Sequence, residues 1–468
     1  MQLLDTIAAI STPHGKGGVA LVRISGARAL SVASRVFRPK SGRPLESYPA
    51  RQAVYGSILA PDGEEWVAVD DGIATVFAAP SSFTGEETVE LCCHGGILLT
   101  QTVLSGVLAA GARAAEAGEF TRRAFLNGKM DLSAAEALGS LLEAGNRQQL
   151  SLAYGGLGGR LSEQIRSCYE SLLDVMTSVQ ACIDFPDEDL SQMSREDMQG
   201  ALESTACRLR DLAASYRTGH AIAEGIPTVI CGRTNAGKST LYNALLGREA
   251  AIVTDVEGTT RDVLSETTVL GGVTLRLSDT AGLRSTEDAV ERIGIDRTYR
   301  AMQEAELILA TFDRTRPLSC EEIALLEQLA AREREGTPVI ALLNKADRDE
   351  RCEQTERTLL QTLSRTVTLS AQTGQGLDEL ARVVEELFLD GSIDLRNDAV
   401  VANARQHAAV AAALAALDQA LEALSGGLPV DVCCLDIREA MRALSELDGR
   451  AIDEQIVAAI FSRFCVGK

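Results

Sequence analysis

Eight residues that follow a short apolar run, Gly232-Arg233-Thr234-Asn235-Ala236-Gly237-Lys238-Ser239, fit the pattern GxxxxGK[ST]. Glycines there let backbone N–H groups turn inward around phosphate oxygens, and a helix starting at the lysine presents its N-terminus to the anion. In this pattern Lys238 reaches the β and γ phosphates and Ser239 ligates Mg²⁺, with Asn235, Ala236, Gly237 and Thr240 completing the cradle. After the next β-type run comes Asp279-Thr280-Ala281-Gly282, where Asp279 can hold the Mg²⁺ shell through water and the Gly282 N–H can meet a γ-phosphate. Asn344-Lys345-Ala346-Asp347 ends a further run. Asp347 can accept from N1–H and N2–H₂ of guanine, a donor pair that adenine lacks. Asn344 can donate to the base or tie this loop to the phosphate loop, and the Lys345 stem can cover the ring. Ser370-Ala371 offers a backbone N–H for the guanine O6. In this order the motifs select GTP over ATP.

Between the phosphate loop and Asp279 lies Asp255-Val256-Glu257-Gly258-Thr259-Thr260-Arg261-Asp262. A threonine here can close over Mg²⁺ and the γ-phosphate and release after hydrolysis, and Thr260 is assigned that role ahead of Thr259. Small GTPases often orient the attacking water with a glutamine just after DxxG, but here that residue is Leu283. Glu287, Asp288 and Glu291 follow, and by spacing alone they read as solvated surface carboxylates.

The elements that must position these loops are legible in outline. Thr228 to Cys231, Val273 to Leu277, Leu307 to Phe312, Val339 to Leu343 and Val367 to Leu369 read as strands, each followed by a polar or Gly-rich turn and a helix. That alternation predicts a parallel sheet covered on both faces. Residues 130–221 instead carry Leu132, Ala135, Leu138, Leu142, Leu209 and Leu212 at helical spacing, broken near Asp184-Phe185-Pro186-Asp187. Beyond 388, Val410, Leu414, Leu417, Leu421 and Leu424 form another helical stripe that stops at Gly426-Gly427. The economical reading is one helical domain, 130–221 and 389–468, interrupted by an α/β domain over 222–388; two separate bundles are the alternative. Residues 1–129 mix short β-runs (Gly18 to Ile24, Gly72 to Phe77, Thr88 to Leu91) with Gly/Pro punctuation, as an α+β domain does.

Composition sets wider bounds. The chain has 468 residues, 46% hydrophobic and 24% charged, which suits two to four packed domains and argues against a disordered or fibrous protein. Its formal net charge is −21, residues 1–129 are neutral, and no segment has a basic excess, which argues against strong nonspecific nucleic-acid binding. The 11 cysteines include no CxxC pair and form neither a disulfide framework nor a zinc pattern. No uninterrupted apolar run approaches the ~18 residues of a membrane helix. The expectation is a cytoplasmic protein without a membrane segment. His94 has no second metal ligand nearby and reads as structural.

The chain resembles the MnmE (TrmE) family of tRNA modification GTPases over essentially its whole length. The resemblance rests on Asp5-Thr6-Ile7-Ala8-Ala9, Gly15-Lys16-Gly17-Gly18, Arg23-Ile24-Ser25-Gly26, Ser82-Phe83-Thr84-Gly85-Glu86, His94-Gly95-Gly96, Gly118-Glu119-Phe120-Thr121, Ala124-Phe125-Leu126-Asn127, Ile183 to Glu188, Gly258 to Asp262, Val290-Glu291-Arg292-Ile293-Gly294, and the terminal Phe464-Cys465-Val466-Gly467-Lys468. It implies a multidomain α/β and α+β protein: an N-terminal α+β folate-binding and dimerisation domain, an α-helical domain, and an inserted Ras-like P-loop GTPase domain. It also implies a homodimer that works with a flavin- and NADH-using partner, MnmG (GidA). Together they install a (carboxymethyl)aminomethyl group at C5 of the tRNA wobble uridine, position 34, with a one-carbon unit from a tetrahydrofolate derivative.

In the resemblance, GTP hydrolysis is stimulated by K⁺ as two G domains meet. Asn235, Thr259 and carbonyls near Thr254 and Val256 match the K⁺ site, and Glu291 matches the water-orienting glutamate, which replaces its reading as a surface acid. Arg23, Glu90, Lys129 and Lys468 match folate contacts, and Cys465 matches the C-terminal cysteine for which a catalytic role is considered. Thr234 stands where the family usually has proline, which softens the loop, and Lys16 replaces a usual arginine. Two other readings compete: a GTP-controlled binding switch for ribosome or RNA assembly, and a folate-dependent aminomethyltransferase with a regulatory G domain.

Overall fold

The structure, a computed structural model, describes residues 5–13, 15–184, 193–247, 265–278, 301–349, 360, 362–449, 454–462, 464 and 466–467. The chain divides into two compact units, Met1–Gly139 with Ser445–Lys468, and Ser140–Leu444.

In the first unit the elements run β1 (Ile7–Ile10), β2 (Gly17–Ser25), α1 (Ala29–Val36), β3 (Phe37–Pro39), β4 (Ala53–Asp62), β5 (Glu65–Phe77), β6 (Thr88–Gly95), α2 (Ile97–Ala109), β7 (Arg113–Ala114), α3 (Glu119–Leu126) and α4 (Leu132–Glu143). The strands form one sheet in the order β3-β4-β5-β6-β2-β1-β7. Alternation along β2 and β6 sends Ala20, Val22, Ile24, Val89, Leu91 and Cys93 to one face, where Val32 and Val36 of α1 and Val103 and Val107 of α2 close a core. Arg23 and Glu90 fall on the opposite face, directly across from each other in the antiparallel register. Phe120 and the half-buried Phe83 pack on that side with Ile7 and Ala9.

Arg123 on α3 is buried to 1% exposure. Its guanidinium donates to Asp5 Oδ1 (2.7 Å), Glu119 Oε1 (2.9 Å) and both oxygens of Glu86 (3.2 Å). Burial pushes the Glu119 carboxyl up, but donors from Arg113, the Glu116 amide and Arg123 outweigh it and hold the group below its ordinary 4.5. The stability from that depressed value is present above pH 4.5 and is lost as pH falls through the folded value. Arg123→Met removes the buried partner of these carboxylates, leaving Asp5 and Glu119 to Arg113, and should cost the unit up to about 3–5 kcal/mol. The check is a denaturant midpoint for this unit, and an unshifted midpoint contradicts the assignment.

In the second unit come α5 (Arg147–Leu157), α6 (Arg160–Asp184), α7 (Arg195–Ala223), β8 (Ile226–Cys231), α8 (Lys238–Leu246), β9 (Ser265–Leu270), β10 (Val273–Ser278), β11 (Leu307–Asp313), α9 (Cys320–Arg334), β12 (Val339–Asn344), β13 (Arg365–Thr368), α10 (Leu377–Phe388), α11 (Ala404–Ser425) and most of α12 (Cys434–Asp448). α13 (Glu454–Phe461) returns to the first unit, where Val457 and Phe461 pack on Leu132 and Ala135. The apolar faces of α4 and α13 therefore complete one another, and Ser133 Oγ donates to the Leu447 carbonyl at 3.1 Å.

The sheet of the second unit has the order β13-β12-β11-β8-β10-β9, parallel throughout except that β9 is antiparallel to β10. Its central strands are apolar on both faces: Ile230, Leu309, Ile340 and Leu342 enter one core, and Val229, Ile308, Ala310 and Ala341 the other. The edge strand β9 is an addition to the strands expected from sequence. Its Ser265-Glu266-Thr267-Thr268 start is polar, as an edge tolerates.

Helix α11, 22 residues with an 18-residue stretch of mean hydropathy 1.4, is long and apolar enough to pass for a membrane span by composition. Its buried residues Gln406, Val410, Ala413, Leu417, Ala420 and Leu424 form one helical stripe, while Asp418 on another face meets Arg210 of α7 at 2.5 Å. Leu414 and Leu421, which the sequence stripe includes, are only half-buried beside it.

Candidate functional site

The phosphate-loop motif leaves the carboxyl end of β8 and enters α8 at Lys238. Ligands of open parallel sheets bind at this edge. Two glycines are obligatory for the loop's path. Gly232 has φ +135°, and a Cβ there would meet the Thr311 carbonyl of β11 at 2.2 Å; Gly237 has φ +99°, and a Cβ would meet Asn344 Nδ2 at 2.1 Å. Asn235 is at φ +63° with an exposed side chain, and Ala236 between these positions is buried.

Lys238 Nζ donates to the Gly232 and Arg233 carbonyls, at 2.8 and 2.9 Å. Burial pushes its ammonium below the usual lysine value, a penalty that a bound polyanion reverses. Ser239 and Thr240 lie exposed in the first turn of α8. A hydroxyl there suits the oxygen preference of Mg²⁺, and the exposed amide oxygen of Asn235 suits a monovalent cation.

Across the sheet edge, Asn344 ends β12 at 2% exposure. Its Nδ2 donates to the Ala236 carbonyl (2.9 Å), while its Oδ1 accepts from the Lys345 amide (2.8 Å) and the Ala371 amide (3.0 Å). Of the two roles open to Asn344 from sequence, the tie between loops is formed here, and it uses one of the two Nδ2 hydrogens. Ser370 Oγ donates to Asp347 Oδ1 at 2.6 Å, and this bond is the main cause of an Asp347 carboxyl below the ordinary range. An ionised carboxylate is the form that accepts two donors from guanine. The Ser370 amide is engaged with the Gln375 carbonyl and the Ala371 amide with Asn344, so both expected O6 donors are held inside the loop network. Lys345 Nζ lies 2.5 Å from Asp313 Oδ2, a partner outside the Asn-Lys-x-Asp motif.

In the first unit Arg23 and Glu90 meet at 2.9 Å, and the Arg23 guanidinium lies over the rings of Phe83 (5.2 Å) and Phe120 (5.6 Å). Both rings sit inside motifs quoted from the sequence, but only the fold shows them stacking on Arg23. Lys129 Nζ donates to the Pro80 carbonyl at 3.0 Å. The tail returns to the same unit, with Val466 bridging to Ala117 and Ser11 Oγ donating to the Gly467 carbonyl. Thr254, Val256, Thr259, Thr260, Asp279, Gly282, Glu291, Cys465 and Lys468 lie outside the described residues. His94 Nδ1 pairs with Asp70 at 2.8 Å, and no group of three or more metal-ligating side chains occurs among the described residues.

A phosphate loop, an Asn-Lys-x-Asp loop and a Ser-Ala loop, joined through one asparagine at the carboxyl edge of a parallel sheet, define a guanine-nucleotide-binding protein of the P-loop class. Residues 6–129 match the family model "GTP-binding protein TrmE N-terminus", and residues 132–465 match "MnmE helical domain". The chain belongs to the MnmE family of tRNA modification GTPases. It is 39% identical to tRNA modification GTPase MnmE of Geobacillus kaustophilus over 100% of both chains, and 41% identical to that of Symbiobacterium thermophilum over 99% of each. Among solved structures it is similar to Aquifex aeolicus Era bound to GDP and AlF4⁻ (24% identity, 40% of this chain and 65% of that one, TM-score 0.26). It is also similar to the FeoB G-domain of Methanococcus jannaschii (24%, 35% and 97%, 0.24).

Proposed function

We propose that this chain hydrolyses GTP to drive modification of C5 of the wobble uridine, position 34, in certain tRNAs. In this reading it acts in the cytoplasm as a homodimer with the flavoprotein MnmG (GidA), and adds a (carboxymethyl)aminomethyl group whose one-carbon unit comes from a tetrahydrofolate derivative. The observation that carries it is Asn344, whose amide links the phosphate loop to the base-reading loop and so ties nucleotide identity to phosphate position. Full-length similarity to named tRNA modification GTPases supplies the biological process. The proposed organisation assigns 1–129 to folate binding and dimerisation, 130–221 and 389–468 to the helical domain, and 222–388 to the G domain.

Lys238 and the loop amides bind and orient the phosphates, Asp347 reads guanine, and the Lys345 stem covers the ring. Ser239 and Thr260 would hold Mg²⁺, with Asp279 in its outer shell and Gly282 at the γ-phosphate. Asn235, Thr259 and the Thr254 and Val256 carbonyls would hold K⁺. These cations supply positive charge against the charge that develops on the phosphates. Glu291, which matches the family's water-orienting glutamate, orients the attacking water in place of Leu283, which has no group that can. Arg23, Glu90, Lys129 and Lys468 form the folate site, with Phe83 and Phe120 as stacking surfaces, and Cys465 stands as a catalytic candidate. GTP turnover should be at least about tenfold faster in KCl than in NaCl, a part of the roughly 10²–10³-fold that one charge-stabilising contact supplies, and Asn235→Ala should remove the difference. Equal rates in the two salts with the native protein contradict the cation site.

A further inference from the structure

We propose that Asp313 is a positioning residue for the guanine nucleotide: its carboxylate fixes the Lys345 ammonium so that the lysine stem is held over the face of the purine. The inference rests on the guanine reading given above and adds to it a residue outside the nucleotide motifs.

Asp313 is the last residue of β11 and lies directly opposite Asn344 in the parallel register with β12. It follows the buried run Leu307 to Phe312 and is itself only 7% exposed. A buried acid at a strand end needs partners, and each of its oxygens has a distinct set. Oδ1 accepts from the Thr315 amide (3.0 Å) and the Thr315 hydroxyl (2.7 Å), which fixes the plane of the carboxylate. Oδ2 faces Lys345 Nζ at 2.5 Å and Arg316 Nε at 3.5 Å. Arg316 is anchored in turn by Glu322 at 3.0 Å, and Glu322 is buried in the capping box that starts α9. The carboxylate is therefore oriented from both sides before it meets the lysine.

The other end of Lys345 is equally constrained. Its backbone is at φ +68°, unusual for a residue with a Cβ, and its amide donates to Asn344 Oδ1. With the backbone and the ammonium both fixed, the stem between them has little rotamer freedom left to lose when a base arrives. Asp347, two residues on, acts on the edge of the base, whereas this stem acts on its face. Removing Asp313 should therefore weaken every purine nucleotide alike, and removing Asp347 should change which purine is preferred. Binding that is equal in ground and transition states appears in KM and leaves kcat alone.

The test uses the full-length protein with GDP and inosine diphosphate as probes, alongside GTP turnover. Asp313→Asn should weaken both diphosphates by a common factor of about ten and raise the KM for GTP similarly, with kcat within about twofold. Lys345→Met should weaken binding comparably, and the double variant should be no weaker than Lys345→Met alone, because the carboxylate acts through the ammonium. Thr315→Val, which keeps the carboxylate but frees its plane, should give a smaller loss of the same kind and serves if Asp313→Asn does not fold. Wild-type affinity in Asp313→Asn, or losses that multiply in the double variant, overturn the proposal while Asp347→Asn still alters base preference. If Asp347→Asn leaves guanine preference unchanged, the guanine reading fails and this inference falls with it.

Discussion

Lys238→Ala should reduce GTP turnover by at least about 10²-fold, the scale on which single charge-stabilising donors at a reacting centre act. The lysine is the first residue of α8, so its ammonium and the helix N-terminus address the same anion. Its charge is already partly desolvated, and its hydrogen bonds to the Gly232 and Arg233 carbonyls hold it against the loop. Phosphate oxygens reward that arrangement more than water does, because the surrounding protein screens them less. Thermal stability should change far less than turnover, since burial of the ammonium offsets part of the about 1.5–3 kcal/mol that each of these two hydrogen bonds to a charged group contributes. Steady-state turnover together with a melting curve separates the two effects. Turnover within threefold of the native protein would remove Lys238 from the phosphate site.

The second large effect is on base choice. Asp347→Asn should invert selectivity, with GTP use falling by about 10²–10³-fold and xanthosine triphosphate becoming the better substrate. A site built to hydrogen-bond a particular edge rejects a mismatched one by factors of this size or more. Asp347 offers acceptors alone, matching the N1–H and N2–H₂ donors of guanine, whereas asparagine adds a donor suited to the carbonyl that xanthine carries at C2. The Ser370 hydroxyl can still bond the asparagine oxygen, so the loop keeps its path. Competition between the two triphosphates in one assay reads the ratio directly. A ratio unchanged by the substitution would show that Asp347 does not read the base.

The motifs at this site are legible in the sequence because phosphate binding needs backbone freedom and a lysine at fixed spacing within one turn, and Gly232, Gly237 and Lys238 supply both locally. What needs the fold is everything set by strand register. Asp313 reaches Lys345 only because β11 and β12 pair Asp313 with Asn344, and Arg23 finds Glu90 only through the pairing of β2 with β6. That second pairing brings together two residues that the family resemblance presents as separate folate contacts. Strand β9 is invisible to a search for apolar runs because an edge strand can be polar, and its Glu266-Thr267-Thr268 stretch lacks the run that marks its neighbours. Sequence order places α4 and α13 in two separate helical segments, 130–221 and 389–468, and does not show that Val457 and Phe461 of α13 complete the apolar face of α4. Periodicity shows that a helix has an apolar face; it does not show which partner covers that face.

In the proposed function, nucleotide hydrolysis at the second unit's sheet edge drives a change in tRNA. Mass spectrometry of tRNA nucleosides from a deletion strain, complemented with the native chain or with Lys238→Ala, tests that link most directly. C5-modified wobble uridine should disappear in the deletion, return with the native chain and stay absent with Lys238→Ala. Fully modified wobble uridine in the deletion strain would contradict the account and favour a GTP-controlled binding switch instead.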